Sequence, residues 1–452
     1  MLQKNEIYET EITGMTTEGS GVCKIDSMAV FVPMTAIGDK LKVKIVKVLK
    51  NYAFGIIDEL LEFGTGRVTP DCPVFRQCGG CVFRHVDYQT ELQYKSQFVK
   101  DAFSRIGKLN PVFEPILGGE NRNFYRNKAQ YPVAMKDNKL VCGFYAKHSH
   151  RVIAFQDCYL HPPIFQEILN YLLPALQKAN ISAYDELSHT GELRHIYLRK
   201  GYHSGEIMLC FITRKSIHKK LNFLLDLQNK FPDIVSISES VNSEKTNVIM
   251  GKKVKLLTGK NFIIDTMCEN QIKISPQSFY QVNTAQAEQL YQIAKHYADL
   301  QGNELVLDLY CGAGTIGLSM ADSIKKLIGV EVIPEAVENA KENARQNNIS
   351  NAEFYCGDAG MISKKLLEQE LSPDIVILDP PRKGCDSMTI QSVINMQPDK
   401  IIMISCNPAT CARDSAIFAA NHYITKKVKA VDLFPGTAHV ECIVLMSRRN
   451  DV

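Results

Sequence analysis

Apolar and polar positions follow two periods along the chain, and the changes of period mark its parts. From residue 1 to about 60, short runs are broken by Gly14, Gly19 and Gly21, and Phe31-Val32-Pro33 ends another. Leu41 to Val48 alternates apolar residues with Lys42, Lys44 and Lys47. A period of two predicts half-exposed strands, here with a lysine face, and short strands with Gly turns predict a small β-barrel. Residues 91–107 shift to helical spacing, with Leu92, Phe98, Val99, Ala102, Phe103 and Ile106 on or near one face. From about residue 300 the runs 304–309, 327–332, 352–356, 374–378 and 400–405 predict strands separated by helical stretches, and 424–434 and 440–446 predict two more. That alternation predicts a doubly wound parallel sheet with a terminal hairpin.

Composition adds limits. With 452 residues, 45% hydrophobic and 22% charged, the chain is globular, and length predicts two to four domains. Met1 to Ile12 carries acids and no apolar core, so it does not read as a signal peptide, and no apolar run is long enough for a membrane span. A cytoplasmic location is expected, with the 14 cysteines reduced and no obligate protein partner. The net charge of +3 hides local differences. Residues 1–60 hold 7 lysines and 8 acids, whereas 120–155 hold 7 cations, Arg122 to Arg151, against Glu120 and Asp137. Phe124, Tyr125, Tyr131, Phe144 and Tyr145 interleave with those cations, a mixture that suits the phosphates and unstacked bases of single-stranded RNA.

The first strand of the C-terminal part runs into Asp308-Leu309-Tyr310-Cys311-Gly312-Ala313-Gly314-Thr315-Ile316-Gly317. Gly312, Gly314 and Gly317 match the G-x-G-x-x-G pattern between strand and helix, and Glu331 ends the next strand, where a carboxylate can take ribose hydroxyls. A dinucleotide and S-adenosylmethionine both fit this pattern. Asp308, Glu331, Asp358 and Asp379 stand at four strand ends, and so many acids favour a cationic methyl donor over a pyrophosphate.

The strand Ile401–Ser405 ends at Cys406, at the crevice end of the sheet beside the expected cofactor. Glu441 begins an otherwise apolar strand, a costly place for a charge unless it is used or paired. Ser405-Cys406-Asn407-Pro408-Ala409-Thr410 with Arg413-Asp414, Asp379-Pro380-Pro381-Arg382-Lys383-Gly384, His439-Val440-Glu441, and Gln281 within Ser278-Phe279-Tyr280-Gln281-Val282-Asn283 resemble the signature motifs of RNA uracil-5-methyltransferases. The resemblance covers nearly the whole chain. It implies that Cys406 is the nucleophile that adds to carbon 6 of uracil, that Glu441 is the general base, and that Gln281, Tyr310, Glu331, Asp358 and Asp379 bind S-adenosylmethionine. The N-terminal β-domain resembles a TRAM domain, which the ribosomal-RNA branch carries. The implied reaction is methylation of one or two uridines of 23S ribosomal RNA at carbon 5, each flipped or single-stranded for access. Transfer RNA is disfavoured on the ground that its branch lacks the β-domain and cluster.

Cys72-x5-Cys78-Gly79-Gly80-Cys81 lies among Pro and Gly, unlike core packing. Three thiols on one loop suggest a metal site short of one ligand, and the spacing favours iron–sulfur over zinc. The resemblance implies a [4Fe-4S] cluster whose fourth ligand is Cys158, with Cys142 as the competing residue.

The expected architecture is multidomain: a TRAM/OB-like β-barrel over 1–60, an α+β iron–sulfur and RNA-binding domain over 61–275, and a Rossmann-like α/β methyltransferase domain over 276–452. The 91–107 helix is a candidate to pack on the last of these. Three other readings fit less. RNA cytosine-5 methyltransferases place a Pro-Cys where Arg382 stands here. An iron–sulfur dinucleotide oxidoreductase leaves Asp379 and Glu441 idle. A non-catalytic RNA-binding protein leaves the C-terminal residues unexplained.

Overall fold

The computed structural model describes residues 2–449. Its first part is a six-stranded sheet wrapped around Ile12, Val30, Val32, Leu41, Val43 and Ile45. Strand Lys40–Val48 points Leu41, Val43 and Ile45 inward and its lysines outward. Part of the lysine face is ion-paired: Lys42 pairs with Glu59, and Lys40 beside it with Glu62, on the neighbouring strand Tyr52–Glu62. These are cross-strand charge pairs of the kind that stabilise a register.

A seven-stranded sheet follows, in spatial order Val152–Ala154, Lys139–Tyr145, Lys128–Lys136, Leu193–Lys200, Ile207–Thr213, Ile234–Val241 and Val254–Gly259. Helix Pro163–Lys178 lays Phe165, Ile168, Leu169, Leu172 and Leu176, the i, i+3, i+4 stripe of an amphipathic helix, on one face. The other face sends Tyr197, Met208 and Ile212 into a core shared with Leu290, Val306 and Ile377 of the C-terminal part.

The C-terminal sheet has eight strands in the order Ala352–Cys356, Lys326–Glu331, Leu305–Leu309, Ile375–Leu378, Lys400–Ser405, Glu441–Arg448, Tyr423–Val431 and Val112–Leu117. The first five run parallel, and Glu441–Arg448 inserts antiparallel beside Lys400–Ser405. The edge strand Val112–Leu117 comes from far earlier in the chain and pairs parallel with Tyr423–Val431. Hairpin Ile263–Met267/Asn270–Ile274 also joins this sheet's flank, where Lys273 N donates to Asn343 of helix Pro334–Gln346 at 3.1 Å.

Helix Tyr88–Asp101 starts on an Asp87 cap and widens into a π-helical turn over Ala102–Gly107. Val99, Ala102 and Phe103 pack among Leu307, Ile401, Met403 and Val440 of the C-terminal sheet. Its Tyr94 and Phe98 turn instead to Ala36, Phe83 and Val86 beside the N-terminal sheet. Among the described residues no helix is long and apolar enough to cross a membrane.

Candidate active site and cysteine cavity

The turn after strand Leu305–Leu309 has positive φ at Gly312 (55°) and Gly314 (81°), conformations that glycine adopts without strain. A Cβ on Gly312 would meet nothing within 4 Å, so the backbone there faces open space. Glu331 is braced toward this turn: Oε2 accepts from Gly312 N at 3.1 Å and Oε1 from Ile333 N at 2.9 Å. Below it, buried Asp308 accepts from Gly317 N at 3.0 Å through Oδ2, while Oδ1 has no partner. Burial pushes Asp308 up to about 8, and the charges of Asp379 and Glu331 add to the rise. Burial alone pushes Asp379 up to about 7. These acids lie close enough to repel one another, so a cationic ligand would stabilise their ionised forms and a pyrophosphate would not. The donor set therefore fits a sulfonium.

The other cofactor candidates stand around the same strand ends. Asp358 caps helix Ala359–Glu368, its Oδ1 accepting from Gly360 N and Met361 N at 3.1 Å each. Tyr310 sends its hydroxyl to Thr389 at 3.2 Å. Asn127 donates to the Gln281 carbonyl at 2.9 Å, and the Gln281 side chain lies beside Tyr291, whose hydroxyl is 3.1 Å from Thr315 Oγ1.

Cys406 follows strand Lys400–Ser405 and precedes helix Pro408–Ala420, with Asn407 as the cap. A helix N-terminus favours a thiolate. Ser405 pairs with Cys442 in the antiparallel register, which makes Cys406 and Glu441 the next facing positions at the strand ends. Burial raises the Cys406 thiol first and the Glu441 charge second, while Arg382 opposes both through its charge and a hydrogen bond. Glu441 is buried and pushed up to about 8, again chiefly by burial, with Asp379 adding and Arg382 opposing. Arg382 is held by its own backbone: its carbonyl accepts from Asn407 Nδ2 at 3.0 Å and Thr410 Oγ1 at 3.3 Å. The closeness of Arg382 to Cys406 depends on strand order, so its sequence position showed only a motif residue standing where a Pro-Cys would mark the cytosine reading.

Cys72, Cys78, Cys81 and Cys158 line one cavity together with Phe75, Phe144 and Phe155. Burial raises the Cys81 thiol to about 12 and that of Cys158 to about 11. Cys142 is absent from this lining and sits in the core of the seven-stranded sheet. Among the described residues no three His, Cys, Asp or Glu side chains form a group that would hold a metal ion. The four thiols nonetheless line one common pocket.

The cation-rich stretch 120–155 divides: Lys136, Lys139, Lys147 and Arg151 are exposed, whereas residues nearer its start are tied to other segments. Arg122 donates to Phe83 O at 2.6 Å and to Glu91 at 2.9 Å, and Tyr125 donates to Pro435 O at 3.0 Å. Tyr131 packs on Phe144, Phe155 and His161. Most of these rings are core, since burying an aromatic ring outweighs presenting it; Phe124 stays exposed.

A family profile described as tRNA (Uracil-5-)-methyltransferase matches residues 87–449, and a TRAM domain profile matches residues 2–57. An uncharacterized RNA methyltransferase of Clostridium tetani is 41% identical over all of this chain and 98% of its own length. One of Oceanobacillus iheyensis is 43% identical over 98% of this chain and 96% of its own. Among solved structures, the Pyrococcus abyssi tRNA (uracil-54, C5)-methyltransferase in complex with S-adenosyl-L-homocysteine matches with a TM-score of 0.78 and 25% identity, covering 97% of this chain and 100% of that one. Coverage that wide includes the N-terminal β-domain. Possession of that domain therefore does not argue against transfer RNA, which corrects the sequence-based exclusion.

Proposed function

The chain belongs to the tRNA (uracil-5-)-methyltransferase family and is an S-adenosylmethionine-dependent RNA methyltransferase, and on that premise we propose that it methylates carbon 5 of one or two uridines in 23S ribosomal RNA. The observation that carries the site assignment is the register that pairs Ser405 with Cys442, with Cys406 and Glu441 one residue further on and within electrostatic reach of each other, Asp379 and Arg382.

Bound in the crevice, S-adenosylmethionine supplies an electrophilic methyl group. Gln281, Tyr310, Glu331, Asp358 and Asp379 would hold it, the carboxylates facing its cationic and hydroxyl groups. Cys406, as thiolate, adds to carbon 6 of the uracil. The ring electrons move to carbon 5, which takes the methyl group. Glu441 removes the carbon 5 proton, the double bond re-forms, and the thiolate leaves. Arg382, charged beside both groups, favours the thiolate before addition and the carboxylate that must act as base.

Cys72, Cys78, Cys81 and Cys158 would hold a [4Fe-4S] cluster. Four thiols around one space, with aromatic walls, suit a cluster, and Cys142 does not line that space. Methyl transfer consumes no electron, so a cluster here would not have to supply one to the reaction.

Mapping 5-methyluridine in ribosomal and transfer RNA from cells with and without this protein tests the substrate. Loss at one or two 23S positions supports the proposal. Loss confined to transfer RNA moves the substrate to the one named for the Pyrococcus enzyme, and no loss in either overturns the assignment.

A further inference from the structure

Strand Tyr52–Glu62 carries apolar residues on both faces. Ala53 and Gly55 are buried, while Tyr52 and Phe54 on the opposite face are each 38% exposed. Phe31 stands opposite Phe54 on the parallel strand Met28–Pro33. The three rings touch: centroids are 5.6 Å apart for Phe31–Tyr52, 5.9 Å for Phe31–Phe54 and 5.6 Å for Tyr52–Phe54. Single exposed aromatics need no explanation, but a touching set on the outward face of a strand does.

All three rings line a cleft of about 1220 Å³ that is also lined by Cys406. Its size exceeds the roughly 300–1,000 Å³ of small-ligand pockets. Its cations Arg105, Lys147 and Arg382 outnumber its acids Glu18 and Asp101. A polyanion with flat, unstacked faces matches this combination, and the substrate that must reach Cys406 has both properties.

We propose that Phe31, Tyr52 and Phe54 form a stacking platform for unpaired nucleotides flanking the target uridine, holding the RNA strand in the cleft while the uridine itself turns in to Cys406. The proposal rests on the RNA-methyltransferase reading above. It makes these three positioning residues, which act on how the strand is held and not on the reacting atoms. It also gives the N-terminal domain a defined RNA-facing side, opposite in character to its partly ion-paired lysine row. Base–aromatic stacking tolerates any base, so the platform would contribute affinity with little sequence preference.

The chain contains no Trp, so Tyr52→Trp installs a single fluorophore at the platform. Titrating that variant with a short single-stranded oligouridylate should quench its emission in parallel with binding measured by filter retention. Phe31→Leu/Phe54→Leu keeps apolar volume and removes both flat faces. It should raise KM for a uridine-containing RNA about 5- to 100-fold with kcat within about threefold, while Phe54→Tyr retains the parental KM. Unquenched emission with RNA bound, a parental KM in the double Leu variant, or a fall confined to kcat would overturn the platform and leave the enzyme reading intact. If the parent protein transfers methyl to no RNA, the enzyme reading fails and the platform with it.

Discussion

Lys95 donates to Asp432 Oδ1 at 2.7 Å, with both side chains fully buried. The same ammonium reaches Glu91 at 2.7 Å and Phe434 O at 3.1 Å, and Gly436 N donates to Glu91 at 2.6 Å. One helix turn thus holds the loop that leads into Glu441. Removing one partner of a buried ion pair leaves an uncompensated charge, here Asp432, since Glu91 keeps Arg122, and costs about 3–5 kcal/mol. Lys95→Met is expected to lose that much in urea denaturation and to lower methyl transfer as well. A loss below about 1 kcal/mol would mean that water replaces the ammonium.

Cys406→Ala removes the only atom proposed to bond carbon 6. Turnover should fall below detection while RNA retention on filters is unchanged, and residual turnover would sink the nucleophile assignment.

Glu441→Gln keeps size and removes the base after methyl transfer has occurred. Addition and methylation proceed, and release does not. Gel analysis under denaturing conditions should reveal a protein–RNA adduct that Cys406→Ala/Glu441→Gln lacks. If no adduct forms, another group takes the proton.

Local patterns made parts of the molecule legible and long-range pairing hid the rest. The strand–turn–helix around Gly312 and the lysine alternation of Lys40–Val48 depend on neighbours in sequence, so period and glycine spacing revealed them. Strand Val112–Leu117 reads like any short apolar run, and nothing local says that it pairs with Tyr423–Val431, more than 300 residues on. Part of the cation-rich stretch was hard to read for a related reason. Arg122 and Tyr125 have the composition of an RNA surface, but their partners Glu91 and Pro435 come from other segments. The platform rings were missed because the alternation of strand Tyr52–Glu62 is apolar on both faces, which no half-exposed template matches.

Three acids of the crevice set a pH dependence. Burial raises Glu441 and Asp308 to about 8 and Asp379 to about 7, against roughly 4 in an unfolded chain. Between about pH 4 and 8 these three groups hold more protons in the folded chain than in the unfolded one, so their contribution to stability falls as pH rises. His161, His195 and His439, lowered to about 3, 4 and 4, oppose this below roughly pH 6.5, so thermal melts of the ligand-free protein should show a declining Tm between about pH 6.5 and 8, with a shallower decline for Glu441→Gln. Added S-adenosylmethionine, a cation, should raise Tm more at pH 8 than at pH 5. A Tm that rises with pH over that range would contradict the burial assigned to these groups.

The cysteine cavity is joined to the active site by the main chain. Val82 N and Phe83 N, next to Cys81, donate to Gly436 O at 2.9 and 3.1 Å, and Gly436 lies in the loop before Glu441. A cluster bound by Cys81 would hold that loop from one side as the Lys95 network holds it from the other. Anaerobically purified protein is expected to carry about four iron and four sulfide per chain. Cys81→Ser should lower both and should reduce kcat more than RNA affinity, because what loosens is the support of Glu441. Cys142→Ser, outside the cavity, should leave the iron content unchanged. Stoichiometric zinc without sulfide would refute the cluster, and full activity in metal-free Cys81→Ser would refute the mechanical link.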